Sequence, residues 1–529
     1  MKIGIVPRIG AANLILKMTQ QQLDKLSKGS YLKYSLDDNC IEETIDARKL
    51  LCTARFDFYG ILIYIDQKVR GVQDLTWAKN IYKERTSAMT GHKLSEPGSD
   101  EKNSFDDFIS VLDTLIDEFQ NDRFDIDRTL VPVDKDYVPM DGAHRVTCAA
   151  YFGKQVKVLR FPDREYQFKG YQYLKHELLP TLISDYMALE SAKWHNDLFV
   201  FFLWPQAHSN PEKLKKAQEM IYVHTDVMYD VEYKFSYEAI RNLLIQIYGH
   251  MDWLGNIDNE FQNVLMKVDE VWSSNGKVQL IITRGESCEY ITNLKAQIRD
   301  MFGIGLSSCH STDNMRETRL ALNALLNPLS REFLERAKPT AFKSSYKLVE
   351  RFKEIVKSNL LPMDNFILDS SMVLAIFGAR EAQDLDFYCL PETDLSVFLN
   401  VKDVEEHDDS QKAFYDKPVT DYILSPEHYF VFNEVKFMSL ENLKKFKEKR
   451  YAKNHDIKDK HDIELIQTIG TGVSSFQKWK TALVYSCKRH WRKTHDFCIE
   501  HFIWRRREYL EKIGFYKPLR IVFNIIKRH

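Results

Sequence analysis

Long apolar runs are missing from this chain of 529 residues: no stretch reaches the ~18 consecutive apolar residues that a membrane-spanning helix needs. The opening residues Met1 to Pro7 carry a charge but no apolar segment of signal-peptide length follows them. Paired cysteines are missing too. The eight cysteines, at 40, 52, 148, 288, 309, 389, 487 and 498, show no C-x-x-C and no secreted-scaffold spacing, so they read as reduced thiols and the expected location is the cytoplasm. There is no internal repeat, no low-complexity tract and no helix-turn-helix signature. Gly303-Ile304-Gly305 and Gly470-Thr471-Gly472 lack the Lys-Ser/Thr that would make either a P-loop.

What is present is an ordinary globular composition, with 44% hydrophobic, 28% charged and 12% aromatic residues. The length predicts several domains, because a single core stops growing well before this size. The net charge of -2 is unevenly spread: from Lys478 onward 14 Lys and Arg stand against 4 Asp and Glu, so the remainder carries about -12. The pattern predicts a mixed α/β (α+β), multidomain fold in four parts: 1–170, 171–345, 346–470 and a basic amphipathic helical tail, 471–529. In that tail Trp491, Phe497, Phe502 and Trp504 interleave with Arg489, Arg492 and Arg505 to Arg507. The expected partner of such a tail is an anionic membrane surface, ahead of nucleic acid or a face of the protein itself.

Two motifs carry phosphate chemistry. Asp141-Gly142-Ala143-His144-Arg145 lies between strands at Thr129 to Val133 and Tyr137 to Met140 and a helix beginning near Val146. A strand feeding a glycine into a helix N-terminus offers unpaired N–H groups to an anion, and the glycine permits close approach. Arg145 can grip a phosphate bidentately, His144 can donate a hydrogen bond, and Asp141 can orient a hydroxyl or Mg²⁺. The plainer reading is that Asp141 caps the helix. Upstream, the apolar run Ile61 to Ile65 reads as a short strand, and Phe105 to Phe119 has helical spacing.

The second motif is Ser370-Ser371 followed by Asp384-Leu385-Asp386. A strand Phe366 to Leu368 ends in the serines, a helix runs from Met372 to about Phe377, and a strand spans Asp384 to Tyr388. Residues two apart on a strand face one side, so both carboxylates converge, as a metal-assisted phosphoryl or nucleotidyl transfer requires. Glu434 is the nearest option for a third carboxylate.

The segment Phe105 to Phe161 resembles the ParB/sulfiredoxin-like fold, including its free-serine-kinase branch. That resemblance implies nucleotide-phosphate contacts from Gly142, His144 and Arg145, catalytic roles for Asp141 and His144, and an upstream carboxylate base, for which Asp57 is the candidate. The Ser370 to Asp386 segment is similar to the minimal nucleotidyltransferases. It implies triphosphate contacts from Ser370 and Ser371 and Mg²⁺ ligation by Asp384 and Asp386, with the expected glycine replaced by Asp369 or Ser370.

The combined expectation is an enzyme: an ATP- or other NTP-dependent kinase or nucleotidyltransferase acting with Mg²⁺ on a small hydroxyl acceptor (sugar, polyol or serine-like) for surface glycan assembly. The alternatives are a nucleotide-switched nucleic-acid-binding protein and a metal-dependent glycosyltransferase using Asp384 and Asp386. In the central part, Lys267, Arg284, Lys295 and Arg299 could line a sugar-phosphate pocket, His310 to Asp313 reads as a helix cap, and the Cys487 to His501 set lies on one helix and does not make a zinc site.

Overall fold

A computed structural model describes residues 16–26, 34–96, 101–167 and 170–469, together with Cys487, Trp491, Thr494 and Lys512. The chain divides into two compact units, Met1–Gly472 and Val473–His529. The amphipathic tail expected from the sequence therefore falls almost wholly outside the described residues. Among those residues no helix is long and apolar enough to cross a membrane, and none of the seven described cysteines forms a disulfide.

The fold is mixed α/β, with three separate sheets in chain order. In the first, Asn39–Asp46 pairs antiparallel with Gln155–Arg160, which runs parallel to Val131–Val133. The second is antiparallel throughout: Asp226–Lys234, Lys277–Arg284, Leu198–Leu203 and Cys309–Ser311 lie side by side in that order. In the third, Phe366–Leu368 is flanked by antiparallel Leu385–Cys389 and parallel Val435–Met438.

The strand Leu198–Leu203 shows how sequence sets the layers. Its six residues are all apolar and all buried. Leu198, Val200 and Phe202 enter the main core, while Phe199, Phe201 and Leu203 enter a second core with Ile221 and Ile298. Alternation across a strand thus feeds two cores, and a strand covered on both faces has no need of polar positions. The main core runs without a break through elements of all three sheets, from Ile45 to Ile466.

The residue pattern predicts helices near Tyr237 to Tyr248 and Met315 to Leu326, and both form there; Phe105–Gln120 extends its predicted span by one residue behind a Ser104 capping box. Three expectations are corrected. Ile61 to Ile65 is not a strand but the middle of the helix Phe58–Val69, buried on nearly every side; an element apolar all round has no stripe from which to read its period. The strand expected at Tyr137 to Met140 reduces to one bridge, Val133 to Pro139. There Asp134 accepts the N–H groups of Asp136, Val138 and Tyr166, so a side chain organises the turn where a ladder was expected. The helix expected from Met372 begins at Ser370.

Candidate functional site

The Asp141 to Arg145 turn lines a cavity of about 1270 Å³. Gly142 sits at φ +77°, in the left-handed region, and a Cβ placed on it would fall 3.0 Å from Arg145 Nη2. Glycine is required there for both conformation and approach. The Asp141 carboxylate accepts the Gly142 N–H at 2.5 Å. The N-cap position of the helix Ala143–Tyr151 is Gly142 itself, which brings no capping side chain. The N-cap position expected of Asp141 thus falls to Gly142, and the first-turn residues Ala143, His144 and Arg145 line the cavity.

Arg145 is half-buried and donates to the Leu130 carbonyl at 3.1 Å; burial lowers its pKa while Asp141 opposes that fall. His144 is buried and its Nε2 lies 2.6 Å from the Tyr82 hydroxyl. Burial pushes its pKa well below the ordinary histidine range, with Lys102, Arg85 and Arg145 adding to the effect. It is therefore a neutral group ringed by cations, and anionic charge in the cavity must be met by those cations and the helix N–H groups.

Asp57 has a different part from the base expected of it. Its carboxylate takes both Nε and Nη2 of Arg55, at 2.8 and 2.9 Å, and an ion pair from Arg85. Burial would raise its pKa, but Arg55 and Arg85 hold it at about 2. A carboxylate saturated by two guanidinium groups and held that low is a poor proton acceptor. Asp57 instead fixes Arg55 and Arg85, both of which line the cavity. Gly60 makes room for this: a Cβ there would meet the Arg85 Cβ at 3.1 Å. Sequence reading missed Tyr82 and Arg85, on the helix Thr76–Met89, and Lys102, in the segment before Phe105–Gln120, since neither stretch carries a motif and only tertiary packing brings them to the turn.

At the second motif the fold gathers more than was predicted. Ser371 Oγ lies 3.4 Å from Asp384 Oδ1. His407 Nε2 lies 2.9 Å from Ser370 Oγ and 3.7 Å from carboxylate oxygens of both Asp369 and Asp386. Tyr415 donates to the enclosed Asp369, whose Oδ1 is buried without a partner among the described residues, as is the Tyr388 hydroxyl. Burial raises the Asp386 pKa; His407 draws it down and the neighbouring Asp384 and Asp369 add to the rise. Ser370, at φ +55°, lies in the left-handed region that favours glycine. Sequence reading missed His407 and Tyr415, which arrive from connections after the motif.

Glu434 is not part of this cluster. The register pairs Phe437 with Leu368 in parallel, which puts Glu434 toward the start of Phe366–Leu368 and Asp369 beyond its end. Glu434 is held there by Arg316 and Lys357, each at 2.7 Å. The run Lys444-Lys445-Phe446-Lys447-Glu448-Lys449-Arg450, basic enough to suggest phosphate contacts, is engaged within the fold: Lys447 is buried against Asp459 and Asp462, and Arg450 pairs with Asp459.

Elsewhere, the four central cations do not converge. Lys267 pairs with Glu270, Arg284 with Asp197 and Lys295 with Asp313, while Arg299 donates to the Cys309 carbonyl. His310 pairs with Glu317 at 2.7 Å, and the cap of the following helix is Asn314. Among the described residues no three His, Cys, Asp or Glu side chains form a ready-made metal cluster. No family model, curated protein or solved structure matches the chain.

Proposed function

We propose that the chain is a nucleotide-dependent phosphotransferase that uses the Gly142 to Arg145 turn to hold the phosphates of ATP or another NTP beside a small hydroxyl acceptor. One observation carries the reading: a helix N-terminus without a capping side chain and the half-buried Arg145 line the same cavity of about 1270 Å³, a volume above the ~300–1,000 Å³ usual for small-ligand sites and able to take a nucleotide with a second molecule. The acceptor oxygen forms a bond to the γ-phosphorus as the bond to the β–γ bridging oxygen breaks. The nucleoside diphosphate leaves, and the acceptor proton passes to a carboxylate. With Asp57 saturated, Asp141 is the carboxylate of the motif that takes this part. Arg145 and the helix N–H groups neutralise charge on the transferred group, so catalysis rests on positioning and electrostatics.

The second motif fits the same chemistry as a metal-binding module. The crowded carboxylates around Asp386 would be relieved by a hard cation, and Asp384 and Asp386 would hold it. A bound Mg²⁺ supplies neutralisation of phosphate charge there. Such an enzyme would work in the cytoplasm, where NTP is abundant, with the basic tail meeting an anionic membrane.

Incubation of the full chain with ATP, Mg²⁺ and a panel of hydroxyl acceptors, read by mass spectrometry, is expected to give a phosphorylated product that Arg145→Ala abolishes. Transfer from a nucleotide-sugar instead, or no transfer with any acceptor, would remove the proposal.

A further inference from the structure

The wall of the first cavity holds two buried arginines outside the turn. Arg55 and Arg85 are 3% and 5% exposed and share a single carboxylate, Asp57, itself 3% exposed. Two buried guanidinium groups on one counterion leave a net charge of about +1, and an uncompensated buried charge is unfavourable. The bonds around Asp57 are directional and fix the pair. Arg55 spends Nε and Nη2 on Asp57 and Nη1 on the Pro139 carbonyl, with its plane over the Phe58 ring at 4.1 Å. Arg85 spends Nε on the Asp57 carbonyl at 3.1 Å and Nη2 on the Asp57 carboxylate. Its Nη1 has no partner among the described residues.

Both arginines line the cavity that contains the Gly142 to Arg145 turn. The acidic residues of the same lining do not balance them. Glu96 pairs with Lys102 at 2.6 Å and Glu118 with Arg128 at 2.7 Å, Asp141 acts on Arg145, Asp24, Glu101 and Glu165 lie at the exposed rim, and the bonds of Arg55 and Arg85 go to Asp57 and Pro139 instead. One cavity therefore has two cationic stations, the turn with Arg145 and the Asp57-locked pair. The neutral imidazole of His144 feels Arg85 and Arg145 alike.

We propose that Arg85, held by Asp57 and backed by Arg55, is a second anion subsite that receives a carboxylate or phosphate of the acceptor, so that the acceptor is an anionic hydroxyl compound and not a neutral sugar or polyol. This rests on the phosphotransferase reading for the word acceptor, but the subsite is testable without turnover. A fixed guanidinium edge in a desolvated wall binds a planar carboxylate or a phosphate oxygen pair bidentately, and it gives a neutral hydroxyl compound nothing to replace that charge. Asp57 is in this sense a positioning residue.

Calorimetric titration of the full chain separates the cases. The probes are glycerol, D-glycerate and glycerol 3-phosphate, each with and without a saturating non-hydrolysable ATP analogue. Glycerate or glycerol 3-phosphate is expected to bind at least 30-fold more tightly than glycerol, and whichever is tighter identifies the anion. Arg85→Gln leaves Asp57 paired one-to-one with Arg55, a balanced set that should fold. It is expected to weaken the anionic probe at least 30-fold while the analogue's Kd changes less than threefold; Arg85→Lys should recover part of the loss. Arg145→Ala should do the reverse. Equal binding of glycerol and both anions, or equal weakening of probe and analogue by Arg85→Gln, would overturn the subsite. Should Arg85→Gln fail to fold, the wild-type preference for anion over glycerol and the Arg85→Lys titration still decide. If the anionic probe binds through Arg85 but the analogue does not bind at all, the subsite stands and the phosphotransferase reading falls. If only the analogue binds, the subsite falls alone.

Discussion

The turns at Gly142 and at Ser370 are electrostatic opposites. Around Gly142 to Arg145, the lining arginines Arg55 and Arg85 share the one buried carboxylate of Asp57 behind them, Arg145 has the half-buried Asp141 near it, and His144 is neutral. Around Asp386, carboxylates outnumber their counterions, with Asp369, Asp384 and Asp386 gathered near His407. An anion would relieve the first imbalance and a cation the second. Two turns that each open a helix can thus be set to opposite charge by the residues that neighbouring elements bring to them, and each imbalance suggests the ligand that would relieve it.

The sharpest way to break the comparison is to neutralise one carboxylate at each site. Asp57→Asn removes the only shared counterion of two buried guanidinium groups and is expected to cost about 3–5 kcal/mol of unfolding free energy in urea titrations. Asp386→Asn removes one of several crowded carboxylates and should stay within about 1 kcal/mol of wild type. Similar losses in both would erase the distinction.

Nucleotide affinity should divide the same way. Arg145→Ala is expected to weaken an ATP analogue at least 100-fold, equivalent to about 2.7 kcal/mol, whereas Ser371→Ala should change it less than threefold. Gly142→Ala should fall between them, about 10-fold, because a Cβ forces both the backbone and Arg145 to move.

Acid titration gives the two sites opposite signs. Asp57 has a folded pKa of about 2, below its ordinary 3.8. Its contribution is therefore complete above pH ~4 and is lost as the pH falls toward ~2, about 2 kcal/mol in all. The Asp386 pKa is raised on folding, so its charged form opposes folding and acidification through that raised value relieves the penalty. Comparing wild type with each Asp→Asn variant in urea from pH 7 to 2 should show the Asp57 gap narrowing and the Asp386 difference closing from the other side. Two gaps of the same sign would contradict this.

The smallest effect concerns the backbone of Ser370. At φ +55° with its Oγ near His407, Ser370→Ala should lose the hydrogen bond and keep the strain, about 1–2 kcal/mol. Ser370→Gly recovers the strain and should lie within about 1 kcal/mol of wild type. Equal melting shifts for the two would mean the backbone relaxes.

Several local features are legible from the amino-acid pattern alone. The capped helix from Phe105, the helices Tyr237–Tyr248 and Met315–Leu326, and the strand Leu198–Leu203 each announce themselves by period, length or cap. The helix Phe58–Val69 does not, because burial on all sides removes the period that would identify it. Glu434 shows the matching limit for sites: its sequence position suggested a third carboxylate, but strand register carries it to the far end of the sheet.

By itself, then, the sequence determined the two turns, since a glycine before a helix, adjacent serines and alternating carboxylates are properties of neighbouring residues. Only the tertiary structure decided what those turns face. Asp57 became an anchor and not a base because Arg85 packs over Gly60, and His407 joined Asp386 because a later connection returns to the strand end. Side-chain pairings across long chain separations depend on packing and register, which no local pattern encodes, and those pairings set the charge of each site.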